Sequence, residues 1–99
     1  MKKIKEYVER INEEIEDAKN YAECYVEQKA KGNMTDANKY REMSGDELKH
    51  ASYIHDFATK DIAELEKIYT PPVEMLDKWD HAHKEYVERV AWVRQMLSM

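Results

Sequence analysis

The sequence predicts an all-α fold, an antiparallel three-helix bundle with long helices. Apolar residues recur at three- and four-residue spacing through nearly all of the 99 residues. The helix breakers are only two Gly and two Pro. Three of those four fall at two places, Gly32 and Pro71-Pro72, and so cut the chain into three segments. A strand-rich fold would need turn residues every ~8–12 positions.

The first helix is predicted over about 2–31, with Ile4, Val8, Ile11, Ile15, Ala18, Ala22, Tyr25 and Val26 on one side. Lys31-Gly32-Asn33 ends it, since Gly tolerates the left-handed backbone that closes a helix. Thr35 or Asp36 is the expected cap of the second helix, about 35–69. That helix aligns Tyr40, Met43, Ala51, Ile54, Ala58, Ile62, Leu65, Ile68 and Tyr69. Thr70 is the expected cap of the third, about 72–97, with Pro71 at its first position. Its stripe is Met75, Trp79, Ala82, Tyr86, Val90, Val93 and Leu97. Residues 1–99 read as one helical domain. Connections this short make neighbouring helices antiparallel.

Composition excludes several classes of function. Charged residues are 37% and hydrophobic ones 42%, and no apolar run approaches the ~18 residues of a membrane span. A net charge of −5 lacks the basic excess of a nucleic-acid binder. The single Cys24 cannot form an internal disulfide, and Met1-Lys2-Lys3-Ile4-Lys5 has no apolar signal core, so a cytoplasmic location is expected. There is no Gly-rich phosphate loop, no paired Cys for zinc and no Ser/His/Asp arrangement.

The informative residues are polar ones on apolar stripes. Stepping 100° per residue, Glu47 lies at the middle of the stripe of helix 2, and His50 lies roughly 60° from it. A carboxylate and an imidazole one turn apart, facing into a bundle, combine a hard oxygen and a neutral nitrogen donor for a divalent metal. Antiparallel pairing about residues 32–33 sets residue n of helix 1 level with roughly 65 − n of helix 2. Glu14 is then level with Ala51, so that Glu14, Glu47 and His50 can converge, and these three form the candidate metal site. Glu16 lies on the far side of helix 1 and ranks below Glu14. Asp61 is on the same stripe, either paired or solvent-facing.

The run Glu14, Ala18, Tyr21, Gly32, Tyr40 and Glu47-Leu48-Lys49-His50-Ala51 resembles the first helix hairpin of ferritin-like proteins of the rubrerythrin branch. The resemblance covers residues 11–55 or so. It implies half of a di-iron or di-manganese carboxylate site and ferroxidase or peroxidase chemistry. The family's second Glu and second Glu-x-x-His are absent from this chain, since Glu85 and Glu88 fall away from the stripe of helix 3. A homodimer or higher homo-oligomer would supply the other half, as in half-length ferritin-like proteins inside encapsulin shells. The wider sequence, from Glu14-Ile15-Glu16-Asp17-Ala18 through His50 and His55 to Pro71-Pro72, also resembles small helical phage and prophage proteins of unassigned role. That resemblance implies the alternative, a non-enzymatic adaptor that sequesters a small molecule or a host protein.

Other residues have plainer readings. If no metal binds, Glu47 and His50 would form a register-fixing polar pair or line a groove where both see water. His83 reads as a hydrogen-bonded core histidine, and His55 and His81 as solvent-facing. Cys24 reads as an exposed thiol, Tyr21 as a packing residue near the site, and Trp92 as an outward contact for another copy.

Overall fold

Helices α1 (Lys2–Ala30), α2 (Met34–Ile68) and α3 (Val73–Leu97) make up the structure, a computed structural model that describes residues 2–99. They form an all-α bundle in which α1 packs against both α2 and α3. The result is a rod of 56 × 18 × 17 Å, because short turns lay long helices side by side. No helix among the described residues is long and apolar enough to cross a membrane.

The first turn falls one residue earlier than expected, at 31–33, and one residue in it serves both helices. Gly32 has φ +80°, and the amides of Gly32 and Asn33 donate back to the carbonyls of Lys29 and Gln28 at 3.0 and 2.9 Å. This Schellman closure satisfies carbonyls that α1 would otherwise orphan. Asn33 then caps α2, its side chain accepting from the Asp36 amide at 3.4 Å. The cap is Asn33 rather than Thr35 or Asp36, because the closure of α1 leaves the backbone already turned at that residue. Asp36 falls in the first turn, where its charge suits the helix dipole.

The second turn also departs from expectation. Pro72, not Thr70, is the cap of α3, and Val73 is the first helical residue. The residue before a proline is pushed out of the helical region, so Pro71 cannot open a helix that Pro72 follows. Pro71 is buried, and the Pro72 carbonyl accepts from Met75 and Leu76.

The α1–α2 seam is built from small residues. Ala37, Ser44, Ala51 and Ala58 recur every seven residues on α2, and all are fully buried. They face an α1 stripe that includes Ile15, Ala18 and Ala22, also fully buried. Small side chains let the two backbones approach closely. The main core adds Ile11 and Leu48 and the Val90 and Val93 of α3, with Trp79 and Tyr86 packed against it. A smaller cluster of Ile4, Ile62 and Met75 closes the other end.

The buried face of α2 is therefore not centred on Glu47. Its true centre follows the heptad of small residues, roughly 60° round the helix. Met43, Ile68 and Tyr69, expected on the stripe, are exposed, whereas Leu48 is buried. Glu47 becomes a rim residue.

Candidate metal centre

Glu14 from α1 and Glu47 and His50 from α2 converge on the face of the hairpin turned away from α3. The α3 side of α1 is marked by Asn12 and Glu16, which both bond to Arg89 of α3, Glu16 at 3.0 Å. Glu14 lies roughly 160° round the helix from each of them. This is why Glu14 rather than Glu16 reaches the site. His50 Nδ1 stands 3.5 Å from Glu14 Oε2 and 3.6 Å from Glu47 Oε2. One ligand atom from each of the three residues lies within 4.8 Å of the others.

The two carboxylates are the sheltered members, with 18% and 21% of their side chains exposed, whereas His50 is 54% exposed. His50 is thus the outer rim of the site, not part of the core that the helical wheel placed it near. Burial alone would not force the trio together. What crowds it is the meeting of two helices at one height: Glu14 meets His50, one residue from the Ala51 that the n to 65 − n rule gives.

Glu47 carries the electrostatic cost. Its carboxyl is pushed from 4.5 up to about 7, first by a hydrogen bond shared with Glu14, then by burial and by the Glu14 charge. His50 pulls the other way, and Asp17, one turn beyond Glu14, adds to the rise. Two carboxylates this close cannot both ionise freely, so a proton, or a cation in its place, is needed between them.

Polar aromatic pairs flank the cluster along the hairpin. On one side Tyr21 stacks on Tyr40 at 6.4 Å between centroids. Tyr21 is two turns, about 10 Å of helix, from Glu14. On the other side Tyr7 donates to Asp61 Oδ2 at 2.6 Å, and Lys3 pairs with the same oxygen at 3.0 Å. Asp61 is thus the paired group that its place on the stripe allowed. These contacts hold its carboxyl below the ordinary range, the Tyr7 hydrogen bond contributing most.

The wheel mislaid one constellation. His55 is half-buried against α3, its Nε2 2.7 Å from Nδ1 of His83. Its ring stacks on Tyr86 at 4.5 Å and meets Trp79 at 5.1 Å. His83 is bonded, as expected, but exposed. Centring α2 on its small residues would have found this, because His55 then falls within roughly 20° of the buried midline. His81 is exposed and lies 3.6 Å from Glu85, and Cys24 is half-buried rather than exposed.

No family model, characterised protein or solved structure matches this chain.

Proposed function

We propose that this is a metal-binding helical protein in which Glu14, Glu47 and His50 hold iron or manganese. Two copies would lay their hairpin faces together about a two-fold axis to form a di-metal carboxylate site. The observation that carries the reading is the convergence of three donor atoms from two helices within 4.8 Å. The donor chemistry fits a divalent transition metal, with carboxylate oxygens and one imidazole nitrogen. The raised Glu47 carboxyl fits as well, since a proton stands where a cation would relieve the same repulsion.

The two-fold arrangement rests on the ligand count and on the surface beside the site. One chain offers three ligands, and a symmetric partner would offer the same three again. Met43, Tyr53 and Phe57 lie on the His50 side of α2 and are 40%, 58% and 57% exposed, apolar surface that a second copy would cover. Such a metal supplies redox chemistry, the oxidation of Fe(II) coupled to reduction of O₂ or peroxide. The chain's own part is to give up the Glu47 proton as the metal enters, while the exposed His50 ring turns to meet it.

Anaerobic titration of the purified chain with Fe(II) or Mn(II) tests the reading. Stoichiometric binding is expected, weakened at least about tenfold by Glu47→Gln or Glu14→Gln. Sedimentation with metal should show a dimer that Phe57→Glu disrupts. Absence of binding in the folded wild type rejects the metal site. A second reading, a non-enzymatic adaptor, is favoured by Trp92, which is 63% exposed on α3. Capture of a partner that Trp92→Ala abolishes, with no metal bound, would select it.

A further inference from the structure

We propose a second, independent transition-metal site between α2 and α3, in which His55 Nε2 and His83 Nδ1 bind a borderline divalent ion such as Zn²⁺, Ni²⁺ or Cu²⁺ and clip the third helix to the second.

The two nitrogens already face each other at 2.7 Å. Metal–imidazole bonds of ~2.0–2.1 Å place two ligands on one ion about 2.9–3.3 Å apart, so the rings need to part by a few tenths of an ångström and to tilt until both lone pairs meet at an ion beside the line joining them. One ring is held and the other can adjust. His55 is fixed by its stack on Tyr86 and its contact with Trp79, while His83 is exposed and free to swing outward. Solvent can reach the His83 side and fill the remaining positions on the ion.

The proton balance is simple. The present hydrogen bond puts one N–H between the rings. Ligation moves that proton to the other nitrogen of the same ring, leaving both facing nitrogens with lone pairs and both rings neutral. Burial and the neighbouring His83 already hold His55 below its ordinary value, which keeps it unprotonated near neutrality. Asp56, next in the chain, favours positive charge at this place. Two imidazoles without a coordinating carboxylate select Zn²⁺, Ni²⁺ or Cu²⁺ over Mg²⁺, Ca²⁺ or Mn²⁺. The site is separate from the Glu14 cluster, because His55 lies roughly 140° round α2 from His50.

Trp79 provides a local reporter. The chain has two Trp, so Trp92→Phe leaves Trp79 alone, with its ring 5.1 Å from that of His55. Titrating this variant with Cu²⁺ or Ni²⁺ should quench its fluorescence saturably, and at one equivalent once Glu47→Gln is added to disable the other cluster. His83→Ala should weaken the effect at least about tenfold, and Glu47→Gln should leave it unchanged. Should His83→Ala lose its helical circular dichroism, His83→Asn keeps a polar partner and removes the imidazole. Zn²⁺ should also raise the melting temperature of Glu47→Gln, in which the other cluster is disabled, but not of the double variant Glu47→Gln/His83→Asn. Quenching that never saturates, or that is the same in His83→Asn, overturns the proposal. Quenching that Glu47→Gln abolishes overturns it too, by assigning the ion to the other cluster.

Discussion

The Ser44 hydroxyl donates a 2.7 Å hydrogen bond to the Ala18 carbonyl across the buried seam between α1 and α2. Ser44 has no exposed surface, and it stands one turn before Glu47, as Ala18 stands one turn after Glu14. This bond therefore fixes the relative height of the two helices beside the candidate metal centre. Ser44→Ala should cost about 1 kcal/mol in denaturant melts, the usual net worth of such a bond. Ser44→Leu should cost about 1–3 kcal/mol by overpacking, and it should weaken metal binding because it forces the helices apart.

Glu47 sets a pH dependence of definite sign. Its folded value of about 7 lies above its ordinary 4.5, so the folded state holds a proton that the unfolded state releases. That contribution is fully present below about pH 4.5 and is lost as pH rises through about 7. In chelator, Glu47→Gln should therefore gain stability over the wild type as pH rises from 5 to 8 or so, in melts run at each pH. Metal affinity should rise over the same interval, because the cation displaces the proton.

His55 has the opposite sign. Its folded value lies below the ordinary 6.5, through burial first and the His83 charge second. Its contribution is fully present above about pH 6.5 and is lost as pH falls through the lowered value. Acidification should loosen α3 from α2, read as a change in Trp79 emission before the helices melt. His55→Gln should flatten that response.

Apolar residues of the same type should differ sharply by place. Ile15 is fully buried, and Ile15→Ala should cost about 2–5 kcal/mol. Ile68 is 77% exposed, and Ile68→Ala should stay within about 0.5 kcal/mol. Urea unfolding followed by circular dichroism separates the two.

The number of helices, their breaks to within a residue or two and the level of Glu14 against α2, to within one residue, are all properties of sequence order. Gly32, the double proline and helical spacing act over a few residues, and a short turn between straight helices leaves the register little freedom. The direction in which α2 faces was not legible in the same way. Large apolar residues pointed to Glu47 as the centre, but Ala37, Ser44, Ala51 and Ala58 are what α1 packs on. Close approach of two backbones rewards small side chains, whereas a hydropathy wheel weights large ones. Tertiary packing alone therefore decided that Glu47 lies at the rim, that His50 reaches solvent, and that His55 turns to His83. Each depends on which side of α2 its neighbours occupy, a relation between segments distant in the chain.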